Sequence, residues 1–285
     1  DVLNELLIKY PKTKTYSKLE DALDDNFDGF TIASPAETHF SIAKKIINSG
    51  KHLLIEKPMV LKVNEAEELV LLAKQKKVNL MVGHVLLFHP AIQKIKQIIN
   101  DGVIGELQYI YSNRLNLGKV RSEENVFWSF APHDIAIFQY LTESFPENIY
   151  AHGSVLLQRG IYDSTMTHFE YKSGVSAHIF VSWMHPFKEH RLVVIGKKAM
   201  ISFEDSKEGK PLKLYSKTFD LSKGIPEKID GPVRLIPYDK KLPLTSELEY
   251  FVEHCSNKKI SFSDGKHGLE VVKILVKASN NLLQK

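Results

Sequence analysis

Lys57 and His133 are the two side chains in this sequence best suited by type and setting to do chemistry on a polar substrate. Lys57 follows Glu56 and precedes Pro58 at the end of the apolar run His52-Leu53-Leu54-Ile55. A residue before proline is held extended, so the ammonium can point out from a strand end, where it can hydrogen-bond a hydroxyl or lower the pKa of a neighbour. The alternative is a lysine whose stem covers apolar surface while its head pairs with Glu56. His133 lies in Trp128-Ser129-Phe130-Ala131-Pro132-His133-Asp134, framed by Pro132 and Asp134 just before an apolar helix expected over Asp134–Thr142. Imidazole titrates near pH 6.5 and suits proton exchange at neutral pH. The alternative is a packed residue beside a helix capped by Asp134; the chain has 12 histidines, so the type alone singles out none of them.

Arg114-Leu115-Asn116-Leu117-Gly118-Lys119-Val120-Arg121 leaves an expected strand and enters a polar loop. Its three cations could clamp a phosphate or carboxylate through charge-assisted hydrogen bonds, or form an ordinary solvated basic loop. Lys188, His190 and Arg191 make a second, weaker cluster. His84 and His89 stand five apart across a strand-to-helix change with no cysteine or acidic partner beside them, so no metal site is expected.

The elements that must hold these groups start at Gly29. Phe30-Thr31-Ile32-Ala33, His52-Leu53-Leu54-Ile55 and Asn79-Leu80-Met81-Val82 are too short for helices, and each ends in polar punctuation: Ser34-Pro35, Glu56-Lys57-Pro58, Gly83-His84. Between them, Phe40, Ala43, Ile46 and Ile47, then Ala66, Leu69, Val70 and Ala73, recur at helical spacing. Strand, helix, strand, helix, strand with nearly continuous apolar strands predicts a parallel sheet covered on both faces. The C-terminal ends of such strands share one edge, where ligands bind. Ser34, Pro35, His39, Glu56, Lys57, Pro58, Gly83 and His84 are therefore expected around one crevice.

The pattern changes after His84. A helix is predicted over Phe88–Asn100. Strands are predicted over Leu107–Leu115, Ile149–Leu157, Thr165–Tyr171, Val175–Trp183, Arg191–Ile195, Met200–Phe203 and Pro211–Ser216, with a hairpin turn at Lys172-Ser173-Gly174. Helices are expected at Asp1–Lys9, at Lys18–Leu23 behind a Ser17 cap, and at the end over Thr245–Cys255 and His267–Leu283. The fold class is thus α/β: a partial Rossmann-type parallel sheet in residues 1–84, lacking its first strand-turn-helix, then an α+β domain over 85–285 with a large open, mainly antiparallel sheet. No glycine precedes Gly29, whereas a dinucleotide fold opens on a Gly-x-Gly-x-x-Gly turn that admits the pyrophosphate. The expectation is a longer protein with that turn upstream, because half a doubly wound sheet would expose an apolar edge.

Bulk properties exclude several classes. A net charge of +4 over 285 residues, without a dense basic block, argues against nucleic acid as the main partner. One cysteine excludes an internal disulfide framework and fits a reducing, cytoplasmic setting. No apolar run reaches the roughly 18–20 residues of a membrane span, and the first ten residues do not read as a signal peptide.

Ser34-Pro35 with His39, Glu56-Lys57-Pro58, and Gly83-His84 followed by Phe88-His89-Pro90-Ala91 together resemble the glucose–fructose oxidoreductase / inositol dehydrogenase (Gfo/Idh/MocA) family, and the resemblance runs over essentially the whole chain. Asn113 to Arg121 and Trp128 to Asp134 are similar to members that oxidise UDP-N-acetylhexosamines or their uronic acids at C3. The resemblance implies an enzyme using NAD or NADP. In it, Lys57 would bridge the reacting hydroxyl and the nicotinamide end, and His133 would accept the hydroxyl proton. Ser34, Pro35, His39, Glu56, Pro58 and His84 would line the cofactor, while Arg114, Asn116, Lys119, Arg121 and Trp128 would approach the substrate. It also makes Lys57–Pro58 a candidate cis bond and points to a homodimer or homotetramer through the C-terminal sheet, whose alternating strand His178–Met184 has bulky groups on both faces. Many relatives have an aspartate four residues before the histidine; here that position is Ser129, so relay through a carboxylate there is not available. Another sugar or polyol dehydrogenase of the family, or a catalytically idle sugar-nucleotide-binding subunit, are the competing readings.

Overall fold

The computed structural model describes residues 2–256 and 258–283. Helices α1 (Val2–Lys9) and α2 (Leu19–Leu23) lead into β1 (Gly29–Ile32), α3 (Ala36–Asn48), β2 (His52–Glu56), α4 (Val63–Lys76) and β3 (Leu80–Gly83). The three strands form one parallel sheet in the order β1-β2-β3, with Ile32 beside Ile55 and Glu56 beside Gly83. Every residue of β3 is buried, as are Leu53, Leu54 and Ile55 of β2, which is why these runs read as continuous apolar stretches. On α3 the buried row is His39, Ala43, Ile46 and Ile47, with His39 where Phe40 was expected. Ser17 does not cap α2: Lys18 holds the N-cap position without a side-chain bond. Asp1 lies outside the described residues.

A 3₁₀ turn over Val85–Phe88 precedes α5 (Pro90–Asn100), which His89 caps by accepting the Ala91 N–H at 3.1 Å. The strand-rich part then comprises β4 (Leu107–Leu117), α6 (Val126–Thr142), β5 (Asn148–Ser154), β6 (Ser164–Glu170), β7 (Ser176–Ser182), β8 (Met184–Gly196), β9 (Met200–Glu204) and β10 (Leu212–Tyr215). Short strands β11 (Thr218–Asp220), β12 (Glu227–Ile229) and β13 (Val233–Leu235) come before α7 (Pro243–His254) and α8 (Gly265–Leu283). The large sheet runs β13-β10-β9-β8-β4-β7-β6-β5, antiparallel except where β4 pairs β7. Gly174, at φ +85°, closes the β6–β7 hairpin, as Lys172-Ser173-Gly174 predicts.

Two expectations needed lengthening. β8 begins at Met184 rather than Arg191, because β4 offers ladder partners along its whole length despite the charged Lys188-Glu189-His190 run. Helix α6 begins at Val126 rather than Asp134. Asn125 caps it, accepting the Trp128 N–H at 3.1 Å, and Pro132 sits inside, where proline removes one backbone bond without ending the helix.

One face of the large sheet is covered by α6 and, at β5, by α8, burying Ile110, Phe169, Ala177, Ile179, Val181 and Val194 against Ile135 and Phe138. The last helix also packs on α4 and β3, so one element holds both sheets. Gly268 permits that approach: a Cβ there would stand 2.4 Å from Val82 Cγ2 and 3.2 Å from Met59 Sδ. Gly268→Val should therefore destabilise the protein by about 1–3 kcal/mol through overpacking, read as a lowered urea midpoint; an unchanged midpoint would contradict the close packing of α8 on β3.

Candidate active site

The three strands of the small sheet end at one edge, and a buried histidine ties two of those ends together. The side chain of His39 is 1% exposed. Its Nδ1 lies 3.0 Å from Pro58 O and its Nε2 lies 2.9 Å from Ser34 O. His39 thus stands behind the crevice wall and holds the Ser34-Pro35 turn to the Lys57–Pro58 turn, instead of lining the crevice. The Lys57–Pro58 bond is cis. Glu56 Oε2 accepts the Lys57 N–H at 3.3 Å and packs where a side chain at Gly83 would stand. His84 follows Gly83 and is buried.

The other wall is α6. Ser129 and His133 are one turn apart and share a helix face. Lys57 Nζ reaches across from the small sheet and donates to Ser129 O at 3.0 Å. The lysine and the histidine, 76 residues apart in sequence, therefore meet on one turn of α6. The contact uses the backbone of Ser129, so it does not depend on a carboxylate at that position.

Behind His133 lies a buried ion pair. Asp134 accepts from Arg114 Nε at 2.7 Å, from the second guanidinium nitrogen at 3.1 Å and from Ser112 Oγ at 2.5 Å. Asp134 does not cap a helix: it lies within α6. Arg114, expected to approach the substrate, is instead fixed to Asp134, and both side chains are nearly sealed from solvent. Trp128, also expected at the substrate, turns its indole N–H to Ser279 Oγ on α8 at 2.9 Å. Asn116 keeps a buried Oδ1 without a protein partner. Lys119 and Arg121 are exposed, with Arg121 held 3.2 Å from Glu124. Arg191 is drawn off by Glu189 and Glu204. His190, read from sequence only as part of a weaker basic cluster with Lys188 and Arg191, faces Arg114 across the β4–β8 ladder.

The electrostatics follow from this packing. Burial pushes the Lys57 ammonium below its ordinary pKa, partly opposed by Glu124 and Glu56. Burial, then the cations of Arg114 and Lys57, hold His133 well below the usual imidazole range. Burial, then Arg114, bring His190 to about 4. His133 is thus neutral at pH 7 and free to accept a proton, with a cation beside it to polarise the group giving that proton up.

The arrangement fits the nicotinamide end of a dinucleotide. Buried polar atoms without protein partners occur on both walls: His133 Nδ1 on α6 and both ring nitrogens of His84 at the end of β3. Ser34, Pro35, Glu56, Lys57 and Pro58 would hold that end, while no glycine-rich turn for a pyrophosphate occurs among the described residues. No group of three or more His, Cys, Asp or Glu among the described residues could hold a metal ion. No described helix is long and apolar enough to cross a membrane. Two sizeable cavities lie elsewhere: about 730 Å³ between the β10 region and Leu235–Pro243, and about 610 Å³ beside His52 and Leu80 at the opposite edge of the small sheet.

Comparison with known proteins agrees with this geometry. A model described as the oxidoreductase family, NAD-binding Rossmann fold, matches residues 4–84, and the GFO/IDH/MocA C-terminal domain matches residues 92–202. A UDP-N-acetylglucosamine 3-dehydrogenase of Acidithiobacillus ferrooxidans is 29% identical over 255 residues, 88% of this chain and 78% of that protein. The scyllo-inositol 2-dehydrogenase (NAD(+)) of Bacillus subtilis is 28% identical over 211 residues, 70% of this chain and 61% of its own length. A solved structure of the Acidithiobacillus enzyme superposes with a TM-score of 0.86 at 24% identity, covering 99% of this chain and 88% of that one, which establishes the shared fold.

Arg114→Met tests the charge arrangement. It leaves Asp134 buried without its partner and should lower stability by about 3–5 kcal/mol. In the folded fraction the His133 titration, followed by imidazole NMR, should move up, because the nearest cation opposing its protonation has gone. A midpoint that stays or falls would contradict the assignment.

Proposed function

This chain belongs to the Gfo/Idh/MocA oxidoreductase family, with its NAD-binding Rossmann domain, and from that premise we propose that it transfers a hydride between NAD or NADP and a secondary hydroxyl of a sugar, at C3 of a UDP-N-acetylhexosamine or its uronic acid. The observation that carries this reading is the Lys57 Nζ contact to Ser129 O, which sets an ammonium beside the turn bearing His133. Residues 1–84 hold the cofactor in this reading, and residues 85–285 hold the sugar. The outer edge of β1 has no strand paired to it among the described residues, and a strand carrying the glycine-rich turn would add there.

Oxidation of a secondary alcohol makes its hydroxyl proton strongly acidic as hydride leaves carbon, so a base must stand within about 2.6–3.2 Å of that oxygen, directly or through one water. His133 is the base: it is neutral at pH 7 and lies on the α6 turn that Lys57 reaches. Lys57 donates to the same oxygen and orients it. The nicotinamide, when bound, supplies the hydride acceptor. Burial first, and then the Arg114 cation, hold His133 neutral, and Asn116 continues the β4 face that carries Ser112 and Arg114. Lys119 and Arg121 remain for the substrate diphosphate. With Arg114 committed to Asp134, only two cations of the loop are left, and this favours as second reading a sugar or polyol without a diphosphate.

The outward face of the large sheet supports self-association to a dimer or tetramer. The ring of Tyr111 stacks on His178 at 5.1 Å and that of Tyr150 on His168 at 6.3 Å, with Met166 beside them, an aromatic surface more apolar than a solvated face needs. Light scattering at micromolar concentration should give at least a dimer; a monomer would contradict this part of the proposal.

With the glycine-rich segment present, His133→Asn should lower turnover by about 10²–10⁴-fold with KM largely kept, and Lys57→Met at least as much. A base whose pKa is depressed stays active at lower pH. The acid limb of kcat/KM should therefore lie below the ordinary imidazole range, with no loss as pH falls through about 6.5. UDP-N-acetylglucosamine and inositol assayed side by side decide the substrate class. Normal turnover in both variants, or turnover of neither substrate, would defeat the proposal.

A further inference from the structure

The cavity of about 610 Å³ at the far edge of the small sheet has no part in the dehydrogenase reading. It lies where β2 and β3 begin, at His52, Asn79 and Leu80, whereas Lys57 and His84 follow the other ends of the same strands. The end of α4, the start of α8 and the segment Lys258–Ile260 close it. Val70, Val78 and Ile260 give it an apolar wall, and Lys74, Lys77, Lys258, Lys259 and Lys266 line it around them. Asn79 fixes the loop side: its Nδ2 donates to Lys258 O at 2.7 Å, and its Oδ1 accepts the Ile260 N–H at 3.0 Å. The Asn79 peptide N–H donates to His52 Nδ1 at 2.9 Å, which puts the proton of the neutral His52 ring on Nε2.

The charge balance singles this cavity out. On the helix surfaces around it lysines are paired: Lys44 with Glu68 at 2.6 Å, Lys62 with Glu65 at 3.1 Å and Lys273 with Glu67 at 2.8 Å. None of the five lysines at the cavity is ion-paired among the described residues. The one carboxylate in the wall, Asp264, accepts the His267 N–H at 2.9 Å at the start of α8. Glu270, one turn along α8 from Lys266, accepts from Gln139 Nε2 at 2.8 Å. Lys74 and Lys77 have an ordinary role as well, because they stand at the negative end of α4. Lys266 has none. It is the second residue of α8, at the positive end of that helix, where a cation is disfavoured. Like charges gathered around one concave wall repel each other and focus a field that draws in an anion.

We propose that this cavity is a second binding site, for a small molecule carrying two or more phosphates. Planar carboxylates are matched best by arginine forks, and no arginine lines the cavity; an ammonium meets phosphate oxygens as a point charge. The lysines outnumber the charges of a single phosphate. The volume likewise exceeds one phosphate and falls within the roughly 300–1,000 Å³ of small-molecule pockets. The apolar wall and the His52 Nε2–H leave a place beside the phosphates for a base. A nucleotide and a free polyphosphate are therefore the two sources of this chemistry.

The test is an NMR titration of the 285-residue chain with ATP and, separately, with inorganic tripolyphosphate, following backbone amides. Both probes should shift the Asn79, Ile260 and Lys266 amides at millimolar concentration, and tripolyphosphate should leave those of Lys57 and His133 unmoved. Tighter binding of ATP would support a nucleotide whose base uses the apolar wall; equal or weaker binding would support the phosphate chain alone as the ligand. Lys258→Ala, Lys259→Ala and Lys266→Ala together remove exposed groups and should weaken both probes by about tenfold or more. Lys44→Ala, outside the cavity, should leave the affinities unchanged. An absence of shifts at the cavity, shifts confined to the crevice, or full affinity in the triple variant would overturn the proposal, as would an equal loss in Lys44→Ala. If the triple variant does not fold, the position of the shifts in the unaltered chain decides alone. The experiment reads no turnover, so its outcome is independent of the dehydrogenase reading.

Discussion

The hydrogen bond from Lys57 Nζ to the carbonyl of Ser129 is the contact on which the site depends, because it joins the two sheets at the place where chemistry can occur. Lys57 belongs to a parallel sheet whose strand ends define an edge; Ser129 and His133 belong to a helix that packs on the other sheet. Neither half makes a site alone. The lysine on its own strand end would be a solvated cation, and the histidine on its own helix would be a packed imidazole. Brought together and closed off from water, the histidine is kept neutral by burial first and then by the Arg114 and Lys57 cations.

Much of the rest of the fold serves to keep these walls where they are. On one side, His39 fastens the turns after β1 and β2 to each other. On the other, Asp134 locks α6 to β4 through Arg114 and Ser112. Helix α8 then closes the arrangement, touching α4 and β3 in the small sheet and α6 and β5 in the large one. Its Gly268 shows how close that contact is, since even one methyl group would meet Val82. The supports are buried and polar at the site and buried and apolar away from it. That division lets the site hold unpartnered polar atoms without loosening the fold.

The small sheet was almost fully legible because buried parallel strands write themselves as short unbroken apolar runs, and the punctuation after each run marked the strand ends. Lys57 and His133 were expected at one site, and the structure brings Lys57 to the α6 turn that carries His133. The sequence offers no sign that Lys57 meets a backbone carbonyl. Helix α6 was expected to start too late because Pro132 looked like a boundary; the Asn125 cap seven residues earlier was the better signal. Arg114 and Trp128 were misplaced for one reason. Charge and aromaticity mark a residue as useful, but only packing decides whether an inward partner such as Asp134 or Ser279 claims it first. His190 was marked only as one member of a basic cluster, and its place opposite Arg114 became visible only through the β4–β8 ladder. Strands β11 to β13 were unread because three-residue strands with polar flanks have no periodicity to detect.

The account stands on Lys57 and His133 acting on one hydroxyl as a unit, and a double-mutant cycle on kcat/KM measures that directly. Groups that act together are strongly non-additive. Lys57→Met and His133→Asn, combined, should therefore cost little more than the worse of the two alone. Losses that multiply across the pair would show two independent residues, and the account would be wrong at its centre.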